Sequence, residues 1–270
     1  MAAMTRKWTV GVDAGGTWLS VLAVDGRGRR RVMRRPASHD LPAALRAIWR
    51  RWRLGRARVS HLVVATRGVW TASERRAAVA CLRSLARRVT VLSDAEAAHL
   101  GALGGGPGLL VLAGTGAIVL GRGARGGWVR AGGLGPLFGD DGSAFALGRD
   151  WLAAVHPTRA RRLAQAPDAV LLIAAMAPRV LKLARRGRGP ARLAVTRGAF
   201  ALALTMRSVA AEARLSSPIS VSWAGSLLGN RAYRLEVWRM ARGLGLGIAP
   251  VAPRESALEA AARLARARPR

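Results

Sequence analysis

Three short stretches of the sequence place acidic or hydroxyl side chains beside glycines or at the end of an apolar segment. The first is "VGVDAGGT", in which Asp13 ends an apolar segment and Gly15, Gly16 and Thr17 follow. Glycines let backbone N–H groups approach a phosphate, a threonine hydroxyl can donate to it, and an aspartate can hold Mg²⁺ through water. The stretch therefore fits a phosphate-binding turn, and it also fits an ordinary Gly-Gly hairpin turn.

The second stretch, "LAGTGA", repeats this design further along the chain, with Thr115 between Gly114 and Gly116. Two such hairpins that face each other across a cleft would hold a polyphosphate from both sides. The pair is therefore a more specific signal than either turn alone.

The third stretch is "LSDAEAA", in which Asp94 lies where an apolar strand changes to a helix. One interpretation is a helix N-cap, because an aspartate there accepts hydrogen bonds from free backbone N–H groups. The other is a general base, because an acid at the carboxyl end of a strand points into the ligand crevice of an open α/β sheet. The sequence leaves both interpretations open.

The elements around these stretches predict an α/β pattern that occurs twice. Strand, glycine turn and strand open the chain, and the same theme returns after "GGGPG", where the chain breaks. Amphipathic spacing predicts a helix over Leu41–Leu54, and alternating strands and helices follow as far as the break. Mainly helical segments are expected over residues 143–214, then a buried strand in "PISVSWAGSLLGN" and a terminal helix in "PRESALEAAARLARAR".

The composition favours a folded cytoplasmic protein without a membrane span. The hydrophobic fraction is 51% in 270 residues, which allows a sizeable core. The longest apolar run, "GLLVLAGTGAIVLG", is shorter than the roughly 20 residues that a spanning helix needs. Cys81 is the single cysteine, so it forms no internal disulfide, and its place on a predicted helix suggests that it lies in the core.

The formal charge of +31 has two interpretations. Arginine spread along the whole chain is typical of a compositional bias without a binding function. Alternatively, "RAIWRRWRLGRAR" and "GRGRRRVMRR" form a surface for nucleic acid or another polyanion, since arginine and tryptophan suit phosphate contact and base stacking. Trp49 and Trp52 fall on the apolar face of the predicted helix, so we expect them to be buried and nucleic acid to be the less favoured partner.

Six motifs resemble, in order and spacing, those of the BadF/BadG/BcrA/BcrD-type ATPases, in the N-acetylglucosamine kinase branch of the actin-like sugar kinases. They are "GVDAGGT", "SDAEAA", "LAGTGA", "GGLGPLFGDDGSAFALG", "SWAGSLLG" and "ESALEAAARLA". The resemblance spans nearly the whole chain and is loose between about Trp151 and Leu193. It implies an α/β fold with two ribonuclease-H-like (actin-like ATPase) domains around an ATP cleft. The expected domains are residues 1–104, joined by the terminal helix at 254–270, and residues 105–253.

The resemblance also implies a role for each motif residue. Asp13 organises Mg²⁺, and Asp94 takes the proton from the attacking sugar hydroxyl. The residues implied to bind the nucleotide are Gly15, Gly16, Thr17, Gly114, Thr115, Gly116, Gly198, Gly225 and Ser226. Those implied to bind the sugar are Ser38, Asp94, Ala117, Gly133, Leu134, Gly135 and Asp140. Asp141 is expected to act as a charge at a helix N-terminus or behind the site.

Three positions depart from the family pattern on the sugar side. Ala117 stands where the family usually has serine, Leu134 where it has tryptophan, and Ser38 where it has asparagine. The resemblance implies an ATP- and Mg²⁺-dependent kinase of N-acetylglucosamine or a related sugar, and the three departures leave open which sugar is the acceptor. The alternatives are an ATP-binding sensor or scaffold with weak turnover, and a polyanion-binding protein. A homodimer is compatible with the sequence.

Overall fold

The computed structural model describes residues 7–267, and the chain divides into two compact units. Unit 1 comprises the described residues up to 105 together with those from 254 onwards, and unit 2 comprises residues 106–253. Each unit contains one five-stranded sheet.

The sheet of unit 1 has three antiparallel strands followed by two that run parallel to the first. Its strands are β1 Trp8–Ala14, β2 Trp18–Asp25, β3 Arg30–Pro36, β4 Val59–Thr66 and β5 Arg88–Ser93. Their order across the sheet is β3-β2-β1-β4-β5, with β4 and β5 parallel to β1. The helices of this part of the chain are α1 Leu41–Trp52, α2 Ala72–Leu82 and α3 Asp94–Leu103. The carboxyl ends of β1, β4 and β5 therefore meet at one edge.

The apolar face predicted for the first helix is the face that α1 buries. Leu45, Ile48 and Trp49 are buried, and Trp52 is half-buried against the same core. The indole N–H of Trp49 donates to the carbonyl oxygen of Leu85 at 2.9 Å. Trp49 is therefore satisfied inside unit 1 and is not presented for stacking on a base.

The basic segment "RRRVMRRP" supplies β3, which forms one edge of this sheet. The Arg31 guanidinium lies 4.7 Å from the ring centroid of Trp8, and that of Arg34 lies 4.4 Å from the ring centroid of Trp18. Charged side chains along an edge strand discourage pairing with another sheet. This is a structural role for the arginines of β3 that requires no polyanion.

Unit 2 repeats the topology of unit 1. Its strands are β6 Gly108–Ala113, β7 Ala117–Arg122, β8 Trp128–Gly132, β9 Ile219–Ala224 and β10 Ile248–Pro250, in the order β8-β7-β6-β9-β10. Strands β6, β7 and β8 are antiparallel neighbours, and β9 and β10 follow in parallel. The predicted internal repeat is thus confirmed at the level of strand order.

Helices make up most of the remainder of unit 2, as the sequence predicts. They are α4 Ala144–Val155, α5 Pro157–Ala164, α6 Ala169–Ala174, α7 Ala177–Arg185, α8 Gly189–Glu212, α9 Ser226–Gly229 and α10 Arg231–Gly243. Helix α8 is the one helix within residues 7–267 that is long and apolar enough to cross a membrane. Half of that apolar stretch is buried inside the protein, where Leu202, Met206 and Val209 join the core. A core helix of a soluble protein has the same properties, so the feature is weak evidence for a span.

The terminal helix α11, Ala257–Arg266, belongs to unit 1. It packs on β1 and α3 through a run of buried alanines that includes Ala261 and Ala262. A Cβ atom at Gly11 of β1 would overlap the backbone of Ala262. Small residues on both elements therefore let the helix lie directly on the sheet.

The prediction that Cys81 lies in the core is wrong, because its side chain is exposed. In α2, Leu82 is buried in the core, and Ala78 and Val79 are partly buried against it. Residues adjacent in a helix point about 100° apart, so the neighbour of a buried residue can face solvent.

Candidate active site

The three parallel strands of unit 1 end in register. The ladders pair Ala14 with Thr66 and Thr66 with Ser93. The residues that come next along the three strands are Gly15, Arg67 and Asp94. These residues lie side by side at the carboxyl edge of the sheet, which is where ligands bind in open α/β folds.

Two carboxylates, Asp13 and Asp94, occupy this edge, and the pKa values of both are raised. Burial raises the pKa of Asp13 above its usual value, and the neighbouring Asp94 carboxylate raises it further. Burial also raises the pKa of Asp94, while a hydrogen bond from the backbone of Ala95 and the positive charge of Arg67 act in the opposite direction. A partly desolvated acid of this kind is better suited to accept a proton near neutral pH than a solvated one.

Asp94 is the first residue of α3 and is not its N-cap. The cap is Ser93, whose hydroxyl accepts from the backbone N–H of Glu96 at 3.1 Å, while the Glu96 carboxylate accepts from the backbone N–H of Ser93 at 2.9 Å. The N-cap interpretation of Asp94 is therefore wrong. The Asp94 carboxylate accepts a hydrogen bond from the backbone N–H of Ala95 at 2.9 Å.

A buried ion pair holds the start of α3. The Arg75 guanidinium donates to both Glu96 carboxylate oxygens, at 2.7 and 3.0 Å. The Glu96 side chain is 3% exposed and that of Arg75 is 31% exposed. Because Glu96 and Asp94 share the first turn of α3, this pair fixes the helical turn that carries Asp94.

The predicted phosphate turn of unit 1 is a tight hairpin between β1 and β2. The backbone N–H of Gly15 donates to the carbonyl of Trp18 at 3.0 Å, and Gly16 and Thr17 are exposed. A Cβ atom on Gly16 would lie 2.7 Å from a guanidinium nitrogen of Arg67. Arg67 therefore lies against this turn, although the motifs in the sequence did not identify it. The available signal was its position directly after β4, which matches that of Asp94 after β5.

Ser38 lies in the exposed loop between β3 and α1. Its hydroxyl donates to the carbonyl oxygen of Asp40 at 3.2 Å, and Asp40 is the N-cap of α1. Its contact with a sugar remains a prediction.

In unit 2, the hairpin that contains Gly114, Thr115 and Gly116 is fixed to the start of α4. The backbone N–H of Ala144 donates to Gly114 O at 2.8 Å, and that of Phe145 donates to Thr115 O at 3.3 Å. The N-terminus of a helix carries a partial positive charge, so this docking suits a turn that binds phosphate.

Ala117 connects this hairpin with the glycine-rich acidic loop. Its N–H donates to a carboxylate oxygen of Asp140 at 3.1 Å, and its carbonyl accepts from the N–H of Gly133 at 2.8 Å. Asp140 is buried and has a left-handed backbone with φ 63°. Its carboxylate thus braces the hairpin, and its contact with a sugar hydroxyl remains a prediction.

The rest of the acidic loop is open to solvent. Leu134, which follows Gly133, is 63% exposed, and Gly135 has a φ of +83°. Asp141 is also exposed, and its carboxylate lies 3.6 Å from the guanidinium of Arg149. The loop therefore presents an apolar side chain at the position where the family pattern has tryptophan.

A cavity of about 660 Å³ lies in unit 2 beside this hairpin. Thr115 and Ser226 line it together with apolar residues of α6 and α7 and two cations, Lys182 and Arg185. Apolar walls with a few polar groups are typical of a small-molecule site. The sequence motifs did not identify Lys182 or Arg185, although Lys182 is one of only two lysines in the chain.

Gly225 and Gly198, both predicted to bind the nucleotide, differ in their surroundings. Gly225 caps α9 next to Ser226, with a φ of 90°, and a Cβ there would overlap the backbone of Ala113. Gly198 is buried within α8, where a Cβ would lie 2.6 Å from the side chain of Leu147 and 3.0 Å from the Tyr233 hydroxyl. Gly198 therefore provides close packing, and its proximity to a nucleotide remains a prediction.

Two copies of one sheet topology, each opening with a glycine hairpin, define the class of actin-like α/β proteins, which confirms the α/β fold expected for each of the two units. A family model matches residues 8–243, so the chain belongs to the BadF/BadG/BcrA/BcrD ATPase family. The resemblance seen in the sequence is thereby confirmed.

One sequence relative is an N-acetylmuramic acid/N-acetylglucosamine kinase of Clostridium acetobutylicum, 27% identical over 156 residues. The match covers 53% of this chain and 51% of that protein, so it spans about half of the relative's length.

The solved structures with similar folds include two proteins described as sugar kinases. A protein of Chromobacterium violaceum, provisionally described as an N-acetylglucosamine kinase, matches with a TM-score of 0.68 and 20% identity over 96% of this chain and 99% of that one. A protein of Listeria monocytogenes, provisionally described as an N-acetylmannosamine kinase, matches with a TM-score of 0.67 and 13% identity over 95% and 97%. At these identities the likeness concerns the fold.

Proposed function

We propose that this protein transfers the γ-phosphoryl group of ATP to a hydroxyl group of a sugar. The observation that carries the proposal is the edge of unit 1, where Asp94 lies level with the glycine turn of β1 and has a raised pKa. Membership of an ATPase family and similarity to a sugar kinase sequence support the same reaction.

Asp94 acts as the general base in this proposal. The sugar hydroxyl loses its proton to the Asp94 carboxylate while its oxygen forms a bond to the γ-phosphorus. The bond from that phosphorus to the β,γ-bridging oxygen breaks, and the bridging oxygen leaves on ADP. Most of the catalytic effect in such transfers comes from positioning and from stabilisation of charge, so few protein groups are needed.

Thr17 in unit 1 and Thr115 in unit 2 are the proposed hydroxyl donors to the phosphates, each within a glycine hairpin. The adenosine is assigned to the unit 2 cavity beside Ser226, whose apolar walls suit a base and whose cations suit the phosphates. The N–H groups of Gly15 and Gly114 bond to backbone carbonyls inside their hairpins, so the proposed backbone donors to phosphate are the N–H groups of Gly16 and Gly116.

The carboxylates of Asp13 and Asp94 fit a bound Mg²⁺. The Asp94 carboxylate makes ionisation of Asp13 less favourable, and a divalent cation would offset that cost. Asp13 is the proposed Mg²⁺ residue, acting through water, and the ion would supply charge neutralisation to the phosphates.

The acceptor is proposed to be N-acetylglucosamine or a related sugar, because the sequence relative acts on N-acetylmuramic acid and N-acetylglucosamine according to its name. The sugar-side departures at Ser38, Ala117 and Leu134 remove polar or stacking groups, each worth about 1–3 kcal/mol when a buried partner loses its mate. The acceptor panel should therefore include hexoses and anhydro-sugars besides amino sugars.

A coupled ADP-release assay over this panel tests the proposal. We expect sugar-dependent ADP formation that falls at least about 100-fold in Asp94→Asn. Asp168→Asn is the matched control, because Asp168 is exposed and its side chain makes no capping hydrogen bond at α6. An Asp94→Asn enzyme with an unchanged rate would exclude Asp94 as the base.

The same assay separates a kinase from an ATP-binding sensor with the same fold. A sensor would bind ATP with measurable affinity and release no ADP with any sugar. ATP binding by the wild type and sugar-dependent turnover should therefore be measured on the same preparation.

A further inference from the structure

Arg67 occupies the centre of the unit 1 edge. It follows β4, which lies between the strand that ends near Asp13 and the strand that ends before Asp94. Its side chain is exposed, and it forms no hydrogen bond or ion pair with another residue in the range 7–267 that the structure describes. A long cationic side chain thus begins between the strands that carry the two carboxylates and is left available to a ligand.

The guanidinium of Arg67 is directed towards the glycine turn. Its carbon and its two terminal nitrogens would lie 2.8, 2.7 and 3.1 Å from a Cβ atom built on Gly16. Because Gly16 has no side chain, the guanidinium can lie directly against the backbone of the turn. The same positive charge also acts on the carboxylate of Asp94.

This placement matches what a phosphoryl transfer requires between the base and the phosphate turn. The group in transfer carries negative charge on its three equatorial oxygens, between the attacking and the leaving oxygen. A guanidinium presents parallel N–H donors in a planar fork, which suits two oxygens of one phosphoryl group better than an ammonium does.

We propose that Arg67 is a catalytic residue that donates hydrogen bonds to the equatorial oxygens of the γ-phosphoryl group as it passes from ATP to the acceptor hydroxyl. The proposal rests on the proposed kinase function. It adds to that function a cation supplied by unit 1 itself, next to the base. Arg67 takes no proton and forms no covalent bond, so the transfer keeps the balance given above.

Three variants test the proposal by steady-state kinetics. Arg67→Ala removes the fork, Arg67→Lys keeps the charge without the fork, and Arg46→Ala removes an exposed arginine of α1 as the matched control. We expect Arg67→Ala to lower kcat about 100-fold and to change both KM values less than about threefold. The kcat of Arg67→Lys should lie between those of Arg67→Ala and the wild type. The kcat of Arg46→Ala should equal that of the wild type.

Rescue by added guanidinium distinguishes a chemical role from a structural one. Millimolar guanidinium chloride should restore part of the kcat of Arg67→Ala and none of that of Asp94→Asn, and sodium chloride at equal ionic strength should restore neither. A rise in the sugar KM with unchanged kcat would instead make Arg67 a sugar contact and would overturn the proposal.

A binding measurement decides the question without turnover. ADP with aluminium fluoride and Mg²⁺ mimics the phosphoryl group in transfer, and transition-state mimics report contacts made only at that stage. Arg67→Ala should bind this complex at least about 30-fold more weakly than the wild type does, with unchanged affinity for ADP. Equal affinities for the complex would overturn the proposal.

Failure of the proposed function has a different signature. If the wild type releases no ADP with any sugar, the kinase proposal is wrong. The aluminium fluoride measurement then still supports or overturns the contact between Arg67 and the phosphoryl group.

Discussion

Removal of the Arg75 side chain should destabilise unit 1 more than removal of the charge on Glu96. The double variant should regain part of the stability that Arg75→Ala loses. The Glu96 side chain is 3% exposed and accepts two hydrogen bonds from Arg75 and one from the backbone of Ser93. Arg75→Ala leaves a buried carboxylate with the single backbone donor. Such a loss costs about 3–5 kcal/mol in a dry interior, and we expect about 3 kcal/mol because Arg75 is partly exposed and water can enter.

Glu96→Gln should cost about 1 kcal/mol, since the amide oxygen can still accept from Ser93 and the freed Arg75 reaches water. In the double variant no charge is left buried without a partner. Arg75→Ala with Glu96→Gln should therefore be more stable than Arg75→Ala alone, by about 1 kcal/mol.

Urea unfolding monitored by tryptophan fluorescence would measure these differences, and hydrogen exchange of residues 93–97 would localise them to the start of α3. Turnover should fall in Arg75→Ala as well, because the carboxylate of Asp94 belongs to the same helical turn. Glu236→Gln is the control, because the pair of Glu236 with Arg239 lies on the surface of α10 and should matter less. A double variant less stable than Arg75→Ala would refute the reasoning.

Three further substitutions test other parts of the fold. Burial lowers the pKa of His61 below its usual 6.5, so the unfolded chain takes up a proton first and stability falls as pH decreases below 6.5. The urea midpoint of the wild type should therefore drop more between about pH 7.5 and about pH 5.5 than that of His61→Gln. Tyr233→Phe should cost about 1–2 kcal/mol, because the buried hydroxyl donates to the carbonyl of Gly142 at 2.8 Å. Gly225→Ala should cost about 2–4 kcal/mol, because its backbone is left-handed and a Cβ would overlap the backbone of Ala113.

Each of these three predictions has an outcome that would contradict it. Parallel pH profiles for the wild type and His61→Gln would exclude His61 as a source of acid sensitivity. A Tyr233→Phe protein as stable as the wild type would show that the hydroxyl contributes nothing net. Gly229→Ala, at the end of α9 with open space around its Cβ, is the control for Gly225→Ala, and equal effects of the two would contradict the steric argument.

Much of the fold follows from local patterns in the sequence. The repeated theme of strand, glycine turn and strand predicts the two sheets, since hydrophobic alternation and glycines act over a few residues. The apolar face of α1 is likewise readable from its spacing, and Trp49 is buried where that spacing places it. The motif "LSDAEAA" correctly places Asp94 at a strand end, because the change from period 2 to period 3.6 is a local signal.

The tertiary structure decided how distant segments align. Arg67 lies beside Asp94 because β1, β4 and β5 pair in one register, and no local pattern encodes the register of strands that are far apart in the sequence. Asp140, in the loop after β8, accepts from the N–H of Ala117, and this contact also joins residues too far apart in the chain for a local pattern to predict it. The choice of Ser93 over Asp94 as the cap depended on backbone geometry at a single residue, which composition does not reveal. The sequence alone therefore determined the residue types available at the strand ends and glycine turns, and the pairing of distant strands determined which of them lie together.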